Sequence, residues 1–191
     1  MWSARILYGA RGARVDGPRT CHLAPRSSRT RAREEIKSIA DKYNLYLIED
    51  AACAAGSEVL TQDSWEKIGK PHGDIAVFSF HPRKIITTGD GGMITTNNPN
   101  IDQKLRLLRQ HGMNIPDTMR YNSSNYIQEE YIELGYNYRM TDIQAAIGRI
   151  QIKRMEDWHK KRIRNAQLIW NVAKECKGLR APNIPDHLVH A

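Results

Sequence analysis

An aspartate, a serine and a lysine stand out by where they fall. Asp50 closes the apolar run LYLIED, Ser79 lies at the end of DIAVFSF, and Lys84 follows in the loop HPRKIITTGDGG. Most lysines in surface turns are simply solvated, so Lys84 draws its interest from its company. If the two runs are neighbouring parallel strands, all three residues lie at strand exits, where open α/β sheets bind ligands. Ser79 and Lys84 follow Asp50 by 29 and 34 residues, too far for one helix face, so only the fold can bring them together. An acid, a hydroxyl and an amine converging there suit a ligand that has a ring nitrogen, a phosphate and an aldehyde. The amine can bond to the aldehyde. The carboxylate can keep the ring nitrogen protonated, and hydroxyl and backbone N–H groups can donate to the phosphate.

The elements that must position these residues are legible from Glu34 onward. REEIKSIADKYN places Ile36, Ile39, Ala40 and Tyr43 on one helical face. Residues 45–50 read as a short buried strand, residues 74–80 as a second and GGMITTN (91–97) as a third, with a polar loop between the first two. NIDQKLRLLRQHG reads as a helix capped by Asn98 or Asn100 and stopped by Gly112. Residues 113–133 read as an irregular polar loop. The stretch that begins MTDIQAAIGRIQ reads as one long helix or two successive ones, opened by a Thr141 cap and closed by Gly178. Strands interleaved with helices predict an α/β fold with a mostly parallel sheet and flanking helices.

Composition bounds the function. The chain has 191 residues and a net charge of +8, which looks like a nucleic-acid signature until the charge is located. Residues 1–33 hold eight arginines, no lysine and one acid, for a charge of +7; the other 158 residues net +1. A nucleic-acid-binding reading therefore rests on the first 33 residues alone, and they lack interleaved aromatics. That segment reads as a disordered basic arm, an organellar transit peptide, or the uninformative start of a truncated chain. The abrupt switch from arginine-only to mixed usage favours the last. No apolar run reaches the roughly 18 residues a membrane helix needs, so no membrane partner is expected. Cys21, Cys53 and Cys176 are odd in number and lack metal or redox spacing, which points to a reducing, cytoplasmic setting.

A ligand with those three groups is pyridoxal 5'-phosphate. IEDAACAAGS, GDIAVFSFHPRKIITTGDGGMITTN and GYNYRMTDIQAAIGRIQ, in that order, closely resemble the DegT/DnrJ/EryC1/StrS family of sugar aminotransferases. The resemblance implies the large domain of a fold-type I, pyridoxal phosphate-dependent transferase. It implies that Lys84 is the lysine bonded to the cofactor, Asp50 the partner of its ring nitrogen and Ser79 a contact to its phosphate. Asn137 matches a residue that reaches the cofactor phosphate of a neighbouring subunit, which implies homodimers with shared sites. The implied reaction moves an amino group from a donor, usually glutamate, to a nucleotide-linked keto-sugar, for amino-sugar or surface polysaccharide biosynthesis. Some relatives replace the lysine by histidine and become dehydratases; Lys84 argues against that branch. His81 reads as a structural or substrate-edge residue.

The pattern is broken in two ways. Cys53 stands among the cofactor-contacting positions where the family often has glutamine, and a thiol cannot make an amide's hydrogen bonds. Asp90 replaces a common glutamate. Family members also run to nearly twice this length, with a phosphate-binding turn and a ring-stacking aromatic upstream that nothing in residues 1–33 resembles. The organisation expected is a basic arm foreign to the family at 1–33, a partial cofactor-binding domain at 34–178, and the start of a smaller domain at 179–191. His187 and His190 then belong to that start, not to a metal site. Such a partial chain is expected to bind the cofactor weakly or not at all, and to be inactive by itself.

Overall fold

The computed structural model describes residues 20–23, 30–61, 64–70, 72–180 and 188–189. A four-stranded sheet carries the predicted strands. Its order is β1 (Thr20–Leu23), β2 (Tyr46–Asp50), β5 (Ile75–Ser79) and β6 (Gly92–Thr95). The first three are parallel, with Ile48 opposite Ile75 and Asp50 opposite Val77. β6 runs antiparallel to β5, pairing Ser79 with Gly92. The connection from residue 80 to 91 contains no crossover helix, so the chain returns beside the strand it has just left. Lys84 therefore sits in a long hairpin loop.

Two other placements differ from the sequence reading. Residues 20–23 pair with β2 and α1 (Thr30–Lys42) begins ahead of Glu34, so part of the supposed foreign arm belongs to the sheet. Four residues with no alternation carry no strand signal of their own; the pairing with β2 makes them a strand. The polar stretch after Asp50 also holds a small hairpin, β3 (Glu58–Leu60) with β4 (Trp65–Lys67), joined by β7 (Leu188–Val189). The other predicted elements appear, as α2 (Pro99–Leu108) and a single long α4 (Asp142–Glu175), with a short α3 (Asp117–Asn122) inside the polar loop. Asn98 is the α2 cap, accepting from the Asn100 N–H, and Gly112 (φ 74°) and Gly178 (φ 89°) take left-handed conformations after the helices. His187 and His190 lie outside the described residues, as do residues 1–19.

Two small cores hold the sheet. On α1, Ala40 packs on Leu47, flanked by Ile36 and Leu45; Ile39 and Tyr43 remain exposed, so the apolar stripe is narrower than expected. Past β2, Ala51, Ala54 and Ala76 pack with Ile68 and Phe78. Alanines let the turn after β2 lie close against β5, and Ala76 is fully buried. Between these layers Glu49 is 2% exposed. Its Oε1 accepts from the Gly73 N–H at 2.8 Å and from the His72 N–H, which satisfies the buried carboxylate. Only glycine fits at 73, because a Cβ there would lie 2.6 Å from the Leu47 carbonyl oxygen. This latch sets the entry of β5, and hence the height at which Ser79 leaves the sheet.

Candidate active site

The carboxyl ends of β2 and β5 bring two loops together. Asp50 ends β2, exposed, and its Oδ1 accepts from the Ala52 N–H at 3.1 Å. The Ala51 N–H bonds the Val77 carbonyl (2.9 Å) and the Ala54 N–H bonds the Ala51 carbonyl (2.9 Å), which fixes the turn carrying Cys53. Ser79 leaves β5 two residues beyond Val77, and its Oγ accepts from the His81 N–H at 3.3 Å. The Lys84 N–H bonds the His81 carbonyl at 2.9 Å and turns the side chain back over the sheet end. There Lys84 Nζ donates to Cys53 Sγ at 2.8 Å. Lys84 and Cys53 thus meet directly, one turn beyond Asp50, with Ser79 at the base of the lysine loop.

Side chains from α4 hold that loop, and nothing in the sequence spacing announced them. Gln151 Oε1 accepts from the Thr87 N–H at 2.7 Å across 64 residues. Gln144 Nε2 donates to the Asp90 carbonyl at 3.2 Å, while the Gln144 N–H bonds Thr141 Oγ1 in a capping box. The Thr88 methyl packs against Gly148, where a Cβ would approach it to 3.1 Å. Within the loop, Thr87 Oγ1 and the Thr88 N–H both donate to the Phe80 carbonyl, at 2.8 and 3.1 Å. A run of threonines before a glycine pair is the one signal that such internal bonding was present. His81 has a structural part, as its Nδ1 accepts from the Arg83 N–H at 3.3 Å.

Asn137 bridges Gln110 through the backbone and its Oδ1 accepts from Arg139 Nε at 3.2 Å. Among the described residues, no hydrogen bond joins Asn137 to Asp50, Cys53, Ser79 or Lys84. Tyr136 and Tyr138, exposed on either side of it, stack at 5.5 Å. The structure therefore joins Lys84 to Cys53 directly, with Asp50 and Ser79 at the ends of the adjacent strands β2 and β5, and ties Asn137 to Gln110 and Arg139.

Comparison with known proteins places the chain beside sugar-nucleotide enzymes and aminotransferases. GDP-perosamine synthase of Caulobacter vibrioides is 44% identical over 65% of this chain and 29% of its own length. The UDP-4-amino-4,6-dideoxy-N-acetyl-beta-L-altrosamine transaminase of Campylobacter jejuni (serotype O:23/36) is 40% identical over 64% of this chain and 29% of its own. Among solved structures, the aminotransferase from Psychrobacter cryohalolentis superimposes with a TM-score of 0.65 at 38% identity, covering 75% of this chain and 35% of that one. The chain spans between 29% and 40% of the length of the curated relatives it matches. Its mixed sheet and helices are part of the fold-type I transferase domain, as the motifs implied. The model of the DegT/DnrJ/EryC1/StrS aminotransferase family matches residues 30–190, and the chain belongs to that family.

Proposed function

We propose that this chain is the lysine-bearing portion of a pyridoxal phosphate-dependent aminotransferase that aminates a nucleotide-linked keto-sugar. Glutamate is the proposed amino donor. The observation that carries the reading is the Lys84 amine folded onto Cys53, in the turn that begins at Asp50. The side chains present fit the cofactor. Lys84 offers a primary amine on a loop tied down by α4. Asp50 offers a carboxylate at the strand exit whose Oδ1 takes a single N–H. Ser79 uses its Oγ as an acceptor from His81, which leaves its hydroxyl proton to donate to a phosphate. The names of the relatives, a GDP-sugar synthase and a UDP-sugar transaminase, support a nucleotide-linked sugar as substrate.

When bound, the cofactor supplies a protonated ring that spreads the electron pair left by breaking a Cα–H bond. Asp50 holds the proton on the ring nitrogen. Lys84 Nζ would anchor the aldehyde and, once released, would take the proton from the donor's Cα and deliver it to the former aldehyde carbon. Ser79 fixes the phosphate end. Cys53 lies beside the amine and accepts its hydrogen bond. Asn137, exposed, fits a role toward the site of a second copy in a homodimer.

Borohydride reduction in the presence of limiting pyridoxal phosphate, followed by peptide mapping, tests the assignment. The expected label falls on Lys84 and is lost in Lys84→Ala. Label distributed over the surface lysines, with no preference for position 84, would end the reading.

A further inference from the structure

Cys53 and Lys84 come from loops 31 residues apart, and each loop is fixed before the two side chains meet. The cysteine turn is pinned to β5 by the Ala51-to-Val77 bond, and the lysine loop to α4 by Gln151. The contact is thus a preorganised thiol–amine pair, and Cys53 is exposed to small oxidants. We propose that this pair is an oxidative modification site at which a peroxide links Cys53 Sγ to Lys84 Nζ through a sulfur–nitrogen bond.

The chemistry balances in two steps. The Cys53 sulfur attacks one peroxide oxygen and the O–O bond breaks, giving a sulfenic acid and water; sulfur is oxidised by two electrons and the peroxide is reduced. The Lys84 nitrogen then attacks that sulfur. The S–O bond breaks, hydroxide leaves, and it takes a proton from nitrogen as a second water. One thiol, one amine and one peroxide thereby become one sulfenamide and two waters. Two equivalents of an added thiol reverse it, returning the cysteine and the amine and leaving a disulfide of the reagent. The amine consumed is the one that the proposed function assigns to the cofactor, so the link closes the site to it; that consequence rests on the functional reading, whereas the link itself rests on the contact alone.

Hydrogen peroxide on the purified 191-residue chain, quenched and digested with trypsin under non-reducing conditions, tests it. A linked pair is expected, residues 43–67 joined to 84–104, because trypsin cannot cut after a modified Lys84. Its mass is the sum of the two peptides less two hydrogens, and it disappears on adding dithiothreitol and in both Cys53→Ser and Lys84→Arg. Borohydride capture of pyridoxal phosphate at Lys84 should be lost after peroxide and return after dithiothreitol. Cys53 recovered as sulfinic acid, or only as a disulfide, with no linked pair would overturn the proposal. A linked pair in a chain whose Lys84 never captures the cofactor upholds the pair and sinks the functional reading alone.

Discussion

Residues 80–91 reach their conformation through side chains. Thr87 Oγ1 bonds the Phe80 carbonyl, Gln151 and Gln144 reach in from α4, and Thr88 packs on Gly148. Residues 111–138 lean more on the main chain, although Asn114 also pairs with Glu130 through its side chain. The His111 N–H bonds the Tyr136 carbonyl (3.0 Å), the Tyr136 N–H the Leu108 carbonyl (2.9 Å), and the Ile132 N–H the Gly112 carbonyl (3.0 Å). Most of their large side chains face outward, with Tyr126 90% and Leu134 81% exposed, while Met113 is buried. The first segment is thus specified residue by residue. The second is specified by how closely two backbones can approach, and asks little of most of its side chains.

The sharpest way to break that contrast is at Gly112. A Cβ there would fall 1.9 Å from the Glu133 carbonyl oxygen, and the residue has φ 74°. Gly112→Ala should destabilise the chain on the order of 3 kcal/mol, combining left-handed strain with a displaced backbone. A urea midpoint unchanged from the parent would show that the two backbones are not in contact.

The lysine loop should respond to a side-chain deletion instead. Gln151→Ala removes the acceptor of the Thr87 N–H in a half-buried setting, at about 1–3 kcal/mol. It should also slow borohydride capture at Lys84, because the loop loses its tie to α4. Gln151→Glu keeps an oxygen acceptor and should recover most of both. Equal losses in the two variants would mean that an oxygen acceptor at position 151 is not what holds the loop.

A smaller effect is expected one step further back, where Thr141 caps α4 and accepts from the Gln144 N–H. Thr141→Ala should lower stability by about 1 kcal/mol. It should raise amide exchange in the first turn of α4, and through Gln144 loosen the loop at Asp90. Exchange confined to the far end of the helix would contradict the link between cap and loop.

The same contrast explains what the sequence could and could not announce. Asp50, Ser79 and Lys84 were legible because they lie in or beside strong apolar runs and turn signals, so their common end of the sheet follows from strand order, whereas Cys53 entered only through the family resemblance. Asn98, Thr141, Gly112 and Gly178 were legible because capping and left-handed turns demand particular residue types. β1, β3 and β4 were not. Three or four residues contain too few positions to express a period of two, and they are strands only because a partner pairs with them. Gln151 was hidden for a related reason: a bond across 64 residues leaves no mark on spacing. The Cys53–Lys84 contact was half visible. The thiol was noticed as a departure from the glutamine pattern, but its partner was supplied by the fold.

Beyond the turns that touch the lysine loop, α4 still buries His159 beside Gly56, but its charged face lies in solvent, and those charges should matter least. Lys160 Nζ bonds Glu156 Oε1 at 2.9 Å, one turn apart, with both side chains about two-thirds exposed or more. The hydrogen bond from Lys160 holds the Glu156 carboxyl below its ordinary value of 4.5, and the same bond raises Lys160 above 10.5. A depressed carboxylate contributes stability that is present above its unfolded value and lost as pH falls through the folded one. A raised lysine contributes below its unfolded value and loses it as pH rises through the folded one. Between those limits the pair is intact, so neutral pH is where any effect of Glu156→Gln must show. Water and salt screen a pair this exposed. The midpoint should therefore not move measurably in physiological salt, and capture at Lys84 should be unchanged. A clear loss at neutral pH that salt does not erase would mean the far half of α4 is coupled to the site, and the boundary drawn here between specified and permissive regions would have to move.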